Sequence, residues 1–287
     1  MLTKIKYYFS LVKFVHTVFS LPFALIGFFI GLNDNNSKLS FYKLIMVLFA
    51  VFFARNAAMA FNRYADKEID KKNTRTANRE IPSGKIKPQE ALIFVIFNII
   101  LFFITTFLIN KLCFYLSPIA IIIILSYSYF KRFTWSSHFI LGLSLSMAPI
   151  GAYIAITEKF AFIPLLFSLL VLFWVCGFDI IYALQDIEFD KQNNLKSIPV
   201  KFGIKKSLFL SFLSHLIVIA TSWYLYYLNN GNFLFLIGTI IFTLLIIYQH
   251  LIINSKNLSK INLAFFTTNG IASILYASFL ILDILIF

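Results

Sequence analysis

Residues 91–130 read ALIFVIFNIILFFITTFLINKLCFYLSPIAIIIILSYSYF and contain a single charged residue, Lys111. It contains two apolar runs, about 91–110 and 112–130, which are separated only by the polar pair Asn110–Lys111. Each run has the length of about 20 residues that a helix needs to cross the hydrocarbon core of a bilayer. Because the connection is so short, the two helices must be antiparallel neighbours. The stretch therefore predicts a transmembrane helical hairpin.

The same composition extends over all 287 residues of the chain. Hydrophobic residues make up 60% of it and charged residues 13%, whereas soluble domains carry about 25% charged residues. We therefore predict an all-α membrane protein with a single domain over 1–287, a bundle of nine transmembrane helices around a central cavity. The predicted spans are about 15–32, 41–62, 91–110, 112–130, 138–157, 160–182, 207–228, 232–253 and 262–286.

The net charge of +13 would suggest a nucleic acid partner in a soluble protein. In this chain the basic residues lie in short segments between apolar runs. These segments lack the interleaved aromatic residues and the separate domain that nucleic acid recognition requires. We therefore expect no nucleic acid partner, and expect contact with membrane lipid instead.

The distribution of basic residues predicts the orientation in the membrane. With the N-terminus in the cytoplasm, 20 of the 25 lysines and arginines lie in cytoplasmic segments, four lie on the opposite side, and Arg55 lies within a span. Cytoplasmic loops are enriched in these residues. The counts predict a multi-pass protein of the cell inner (cytoplasmic) membrane. Its N-terminus and its two long charged segments, about 63–90 and 183–206, are expected on the cytoplasmic side.

Eight of the twelve acidic residues lie in or beside those two segments, between Asp66 and Glu80 and between Asp179 and Asp190. The orientation rule does not explain them, because it concerns lysine and arginine. In the first segment, Asn62, Asp66 and Asp70 are spaced at i, i+4 and i+8. On a helix that continues from the second span, this spacing places the three side chains on one face.

The second segment repeats this spacing. Asp186 and Asp190 are four residues apart, and Asp179 lies two turns before Asp186 on the same face, within the sixth span. Tyr182 lies one turn before Asp186, so its hydroxyl is expected on the same stripe. The cytoplasmic side of the bundle therefore has two aspartate-rich helix ends.

Carboxylates that are stacked on one helix face repel one another, so a bound partner must offset this unfavourable free energy. Like charges at i and i+4 destabilise a helix by about 0.2–0.5 kcal/mol, and an unpaired aspartate inside a span costs about 2.5 kcal/mol or more. One such pair is usually a solvated helix end, but two on the same side of the membrane are harder to explain in that way. Mg²⁺ is held by one or two carboxylates together with substrate phosphate. The sequence therefore predicts two Mg²⁺ ions that clamp one diphosphate.

The residues around both clusters resemble a known family. Residues 62–70 follow the pattern N-x-x-x-D-x-x-x-D, with R-T-A-N-R and P-S-G after it, and residues 179–190 read DIIYALQDIEFD. Together with the nine spans, these motifs resemble the UbiA superfamily of intramembrane aromatic prenyltransferases over nearly the whole chain. The second motif and the SIPVKFG at 197–203 are most similar to the 4-hydroxybenzoate polyprenyltransferase branch.

The resemblance implies a Mg²⁺-dependent enzyme that transfers a polyprenyl group from polyprenyl diphosphate to an aromatic acid. The favoured acceptor is 4-hydroxybenzoate, which gives 3-polyprenyl-4-hydroxybenzoate in quinone biosynthesis, and a naphthoate of menaquinone synthesis is the alternative. The resemblance also implies two metal–diphosphate motifs, whose four aspartates are the catalytic residues. The first motif is Asn62, Asp66 and Asp70, and the second motif is Asp186 and Asp190.

Further side chains are candidates for binding the substrate, in addition to Asn62, Asp179 and Tyr182. Arg55 lies seven residues before Asn62, on the same face and well inside the second span. A membrane-buried arginine normally pairs with another group or lines a polar cavity. Arg55 therefore either holds helices together in an ion pair or contacts the substrate, and the resemblance favours the second role.

Four more basic residues have two interpretations each. Lys131 and Arg132 end the fourth span, where they are either interfacial anchors or, as the resemblance implies, contacts for the diphosphate or the acceptor carboxylate. Arg75 and Arg79 lie either in a solvated loop or in a lid over the diphosphate, which we favour. Arg63 stands where many relatives have aspartate, and the sequence assigns it no role.

A secondary transporter is the alternative from a different class, because intramembrane Arg55 and Asp179 would suit an ion pathway. Transporters usually show repeated halves, and the chain has no second half that matches the first. Asp283, near the outer end of the last span, is expected to be solvated. The histidines show no ligand spacing and are interpreted as packed or interfacial; they are His16, His138, His215 and His250.

Overall fold

The computed structural model describes residues 2–13, 17, 19–255 and 257–287. These residues are predominantly helical. They also include a 3₁₀ turn at Leu184–Asp186 and a π turn at Leu263–Thr268. The helices are α1 (Leu2–Leu11), α2 (Leu21–Asp34), α3 (Phe41–Ala65), α4 (Lys67–Lys72), α5 (Pro88–Ile109), α6 (Lys111–Phe133), α7 (Ser137–Thr157), α8 (Phe162–Ala183), α9 (Ile187–Gln192), α10 (Ile198–Leu228), α11 (Phe233–Ile252) and α12 (Asn269–Ile286).

Eight helical segments in the described part of the chain are long and apolar enough to cross a membrane. They are α3, α5, α6, α7, α8 with its continuation to Gln192, α10, α11, and α12 with its π turn. The first predicted span corresponds to α2, an apolar helix of 14 residues; residues 15, 16 and 18 of that span lie outside the described residues. The prediction of an all-α, multi-pass membrane protein is confirmed.

Helix α10 is interrupted at Gly203, which has φ 75° and ψ 171°, so a short helical segment from Ile198 precedes the long apolar one. The predicted start of this span, near 207, lies shortly after the interruption. Ser197 caps this helix, because its Oγ accepts a hydrogen bond from the backbone N–H of Val200 at 3.3 Å. Pro199 lies in the first turn, where its missing N–H costs nothing. The cap therefore begins the short segment before Gly203, and the long apolar part of α10 follows the glycine.

The helices group into two compact units. The first unit comprises Met1–Thr17 and Tyr42–Tyr129, and the second comprises Val18–Phe41 and Phe130–Phe287. The first motif therefore belongs to the first unit and the second motif to the second.

Trp174 lies in the buried core of the second unit. Its indole N–H donates a hydrogen bond to the side-chain oxygen of Asn269 at 2.9 Å. The amide of Asn269 in turn donates to the carbonyls of Ala264 and Phe265 at 2.9 and 3.0 Å. These carbonyls lie in the π turn, whose altered hydrogen bonding leaves groups for a side chain to satisfy. Asn269 is thus explained as a packing residue inside the apolar bundle.

Asp283 is not solvated, and that prediction was wrong. It is 6% exposed, and its carboxylate accepts hydrogen bonds from the backbone N–H groups of Asn232 at 3.0 Å and Phe235 at 3.1 Å. These groups begin α11, where N–H groups have no partner within the helix. The sequence did not reveal this cap because the residue that supplies it lies in another helix.

Helices α2 and α7 pack closely through glycine. Gly27 and Gly31 of α2 are four residues apart, the small-xxx-small spacing that lets membrane helices approach each other. A Cβ atom at Gly27 would lie 1.9 Å from the carbonyl oxygen of Pro149 in α7. At Gly31 it would lie 3.1 Å from the Cβ of Ile156. Gly27 is therefore the position at which the two backbones allow no side chain.

The substitution Gly27→Ala is expected to destabilise the purified protein. The added methyl group meets backbone rather than a movable side chain, and overpacking of this kind costs about 1–3 kcal/mol. Thermal denaturation in detergent should show a Tm lower by roughly 2–4 °C for each kcal/mol. Gly151→Ala in α7 is the matched control, because a Cβ there meets nothing within 4 Å. Equal Tm values for the two variants would contradict the close approach of α2 and α7.

Candidate functional site

The first motif lies where α3 gives way to the short helix α4. Asp66 separates the two helices with φ −94° and ψ 5°, in the bridge region of backbone conformation where active-site residues are often found. Hydrogen bonds of helical spacing continue through the break, from Asp66 N–H to Asn62 O and from Asp70 N–H to Asp66 O. The predicted helical face is therefore retained in this bonding pattern, although the helix itself is interrupted.

The side chains of the first motif are held close together. The amide nitrogen of Asn62 donates to Asp66 Oδ2 at 3.2 Å, and Asp66 is 2% exposed. Asp70 is 5% exposed. Its Oδ1 accepts from the guanidinium of Arg79 at 2.7 Å. Its Oδ2 is buried and has no hydrogen-bond partner among the described residues.

A buried arginine lies beside this motif. Arg63 is 5% exposed and interacts electrostatically with Asp70, Glu80 and Arg79. Glu80 is itself buried and accepts a hydrogen bond from the hydroxyl of Ser10 in α1. Two arginines and two acids thus form a compact charge cluster that includes Asp70 of the motif. The sequence left the role of Arg63 open, and its neighbours assign it to this cluster.

The other two arginines predicted in the first unit lie elsewhere. Arg75 is exposed, and its backbone N–H donates to the side chain of Asn73 at 2.9 Å. Arg55 donates from Nη2 to the backbone carbonyl of Lys13 at 2.7 Å, and its Nη1 is buried without a hydrogen-bond partner among the described residues. One nitrogen of Arg55 therefore links α3 to Lys13, which follows α1. The other terminal nitrogen could donate a hydrogen bond to a ligand.

The second motif begins at a similar break. Helix α8 ends at Ala183, and the 3₁₀ turn then leads to Asp186, which has φ −106° and ψ 7°. Asp66 and Asp186 therefore have nearly the same backbone conformation. A 3₁₀ turn winds more tightly than an α-helix, so Asp190 is not in continuous helical register with Asp179.

Asp190 has a defined polar environment. Its carboxylate interacts with the side chain of Ser197 and electrostatically with Asp186, Lys131 and His138. The carbonyl of Lys131 also accepts from the backbone N–H of Lys196 at 2.7 Å. Lys131 is therefore close to the second motif. Arg132 follows it in the last turn of α6 and is half-buried.

Asp179 and Tyr182 lie on α8 before the break. Asp179 Oδ2 pairs with Nδ1 of His138 at 2.7 Å. The ring of Tyr182 stacks on Phe265, with 4.1 Å between the ring centroids. The stack fixes the ring of Tyr182 at the end of α8 nearest Asp186.

The sequence indicates only a packed or interfacial role for His138, but the structure gives this side chain a specific partner. It is 3% exposed and bonded to a predicted substrate-binding residue. The sequence could not reveal this contact, because Asp179 is 41 residues from His138 and lies on another helix. No spacing rule links two such residues. The other described histidines, His215 and His250, bond to each other at 2.7 Å, which fits their interpretation as packed residues. His16 lies outside the described residues.

The chain matches proteins of known family in sequence. The UbiA prenyltransferase family matches residues 20–271. The 4-hydroxybenzoate octaprenyltransferase of Aliivibrio fischeri (strain MJ11) is 33% identical over 162 residues, which is 56% of each chain. The enzyme of that name from Vesicomyosocius okutanii subsp. Calyptogena okutanii (strain HA) is 30% identical over 239 residues, 81% of this chain and 85% of the relative. The match to the Aliivibrio protein thus spans little more than half its length.

Solved structures agree with the sequence match. The apo structure of a UbiA homolog from Aeropyrum pernix K1 superposes with a TM-score of 0.84 and 30% identity, over 93% of this chain and 98% of that one. A UbiA homolog from Archaeoglobus fulgidus bound to DMAPP and Mg²⁺ has the same fold, with a TM-score of 0.74 and 23% identity, over 98% of this chain and 99% of the other. The chain therefore belongs to the UbiA prenyltransferase family.

Proposed function

We propose that this protein transfers a polyprenyl group from polyprenyl diphosphate to an aromatic acid, with 4-hydroxybenzoate as the acceptor and 3-polyprenyl-4-hydroxybenzoate as the product. The observation that carries the proposal is the pair of aspartate motifs at the broken ends of two apolar helices, α3 and α8. The acceptor is supported by the two relatives above, which are named 4-hydroxybenzoate octaprenyltransferases. The product would serve quinone biosynthesis.

We propose Mg²⁺ as the metal, and the residues of the first motif fit it. Asp70 Oδ2 is a buried carboxylate oxygen without a hydrogen-bond donor among the described residues, a costly state that a bound cation removes. In the described part of the chain, no three acidic, histidine or cysteine side chains form a metal cage. Mg²⁺ needs only one or two carboxylates if phosphate and water complete its shell. The proposed ligands are Asn62, Asp66, Asp70, Asp186 and Asp190.

Different groups of residues have different roles in the proposed reaction. Bound Mg²⁺ would supply positive charge that stabilises the leaving diphosphate. Arg79, Lys131 and Arg132 would bind diphosphate oxygens as the allylic C–O bond breaks and the prenyl carbon becomes cationic. The apolar spans exclude water, which would otherwise capture the cation. The ring carbon ortho to the phenol hydroxyl forms the new C–C bond, and the ring then loses its proton.

We also propose that the protein resides in the cell inner membrane, with its N-terminus and active site on the cytoplasmic side. The asymmetry of 20 against four basic residues supports this orientation. Both substrates would then reach the site from the cytoplasmic half of the membrane, the diphosphate with its tail in lipid.

The test is an assay on membranes that contain the protein. Radiolabelled polyprenyl diphosphate and Mg²⁺ are incubated with a panel of hydroxybenzoates and naphthoates. We expect a labelled lipid-soluble product with 4-hydroxybenzoate, its loss on addition of EDTA, and its return with excess Mg²⁺. Membranes with the double variant Asp66→Ala, Asp186→Ala are the control. Product from a naphthoate alone would reassign the acceptor, and no product from any acceptor would overturn the proposed function.

A further inference from the structure

His138 occupies a position between three helices of the second unit. It lies in the first turn of α7, and its Nδ1 is 2.7 Å from Asp179 Oδ2 in α8. On the other side of the ring, the backbone N–H of Ile198 donates to Nε2 at 3.4 Å. Ile198 is the first residue of α10. One buried ring therefore joins α7, α8 and the start of α10.

The two contacts determine which nitrogen carries the proton. A backbone N–H can only donate, so Nε2 of His138 must be the acceptor and is unprotonated. The proton of the neutral ring is then on Nδ1, which donates to the carboxylate of Asp179. Imidazole combines a donor and an acceptor on opposite sides of one rigid ring, and His138 uses both.

The segment that leads into α10 is bonded to the second motif, because the backbone N–H of Leu195 donates to the carbonyl of Asp190 at 2.9 Å. Ser197, the residue before Ile198, accepts a hydrogen bond from Val200 N–H at 3.3 Å, and its side chain also interacts with that of Asp190. His138 and Asp190 therefore contact adjacent residues at one helix start. A displacement of this start would move the hydroxyl that orients Asp190.

We propose that His138 is a positioning residue, which fixes Asp179 and the start of α10 and thereby holds Asp190 in its ligand orientation. The inference rests on the proposed function in taking Asp190 as a ligand of Mg²⁺ and diphosphate. Groups that orient metal ligands without touching the metal change metal affinity or activity by about 10–100-fold when they are removed. An apolar ring at this position would leave Asp179 and the Ile198 N–H without their partner.

The test compares His138→Phe with His138→Gln. Phenylalanine keeps the planar ring but offers neither a donor nor an acceptor, whereas the glutamine amide offers both. For His138→Phe we expect a roughly tenfold increase in the half-saturating Mg²⁺ concentration and in the KM for prenyl diphosphate, with a smaller change in kcat. His138→Gln should restore both values to within about twofold of wild type. Wild-type values in His138→Phe would overturn the inference.

A second measurement does not depend on turnover. Mn²⁺ takes the place of Mg²⁺ as a paramagnetic probe, and its binding to the purified protein with inorganic pyrophosphate is followed by electron paramagnetic resonance. We expect weaker Mn²⁺ binding in His138→Phe and restored binding in His138→Gln. His250→Phe is the control, since its histidine bonds to His215 and not to the motif. Equal weakening in this control would show general destabilisation and overturn the inference.

The two proposals fail in different ways. If the wild-type protein binds Mn²⁺ and His138→Phe binds it more weakly, but no acceptor is prenylated, the proposed function fails and the positioning role stands. If prenyl transfer occurs but His138→Phe has unchanged Mn²⁺ binding and an unchanged KM, the positioning role fails and the proposed function stands.

Discussion

The substitutions Asp66→Ala and Asp186→Ala are each expected to abolish prenyl transfer while the protein still inserts into the membrane. Each removes a carboxylate at a helix break, from a residue that lies directly between two helical segments rather than in a long loop. The loss of one group that stabilises charge in the transition state lowers rates by roughly 10²–10³-fold. Each substitution also removes a proposed metal ligand, so we expect kcat/KM to fall by about 10³-fold or more, which corresponds to about 4 kcal/mol.

The measurement is kcat/KM of purified variants in the radiolabelled assay, with the amount and monodispersity of each protein as the check on folding. Glu68→Ala and Glu188→Ala are matched controls, because both carboxylates are exposed and lie in the same short helices, α4 and α9. Both controls should retain wild-type activity. Full activity in Asp66→Ala or in Asp186→Ala would place the metal site elsewhere.

The substitution Arg63→Met is expected to have the largest effect on stability. Arg63 is 5% exposed, and its guanidinium interacts with Asp70, Glu80 and Arg79. Methionine would leave two buried carboxylates with one arginine. Removal of one partner from a buried ionic cluster typically costs about 3–5 kcal/mol, because the remaining charge is neither solvated nor paired.

Thermal or chemical denaturation in detergent measures this change. Arg75→Met is the matched control, since Arg75 is exposed in the same segment and an exposed substitution changes stability by about 0.5 kcal/mol or less. Arg63→Lys keeps the charge but lacks the planar fork of donors, so an intermediate loss is expected. A stability of Arg63→Met equal to that of Arg75→Met would show that the cluster does not stabilise the first unit.

The spans were predictable because length and apolarity are strong signals in a membrane. Helix α7 was predicted at about 138–157 and is found at Ser137–Thr157. The spacing of aspartates was also sufficient to identify both motifs. What the sequence lacked was the break at Asp66 and at Asp186, because spacing assumes an uninterrupted helix and does not reveal where one residue leaves helical geometry.

Long-range contacts account for the remaining differences. The pairs His138–Asp179 and Asp283–Asn232 join residues far apart in the chain. Periodicity along one helix carries no information about such partners. The role of Arg63 was obscure for the same reason, since Glu80 lies in the segment that follows α4 rather than on its own helix.

The breaks at Asp66 and Asp186 also have a mechanical consequence. Membrane helices tilt when the bilayer becomes thinner or thicker, and a continuous rod would carry the tilt of α3 or α8 directly into the ligand-bearing segments. The change of backbone direction at each break means that the short helix need not follow the tilt of its span by the same angle. We therefore expect the site to tolerate lipids of different acyl-chain length.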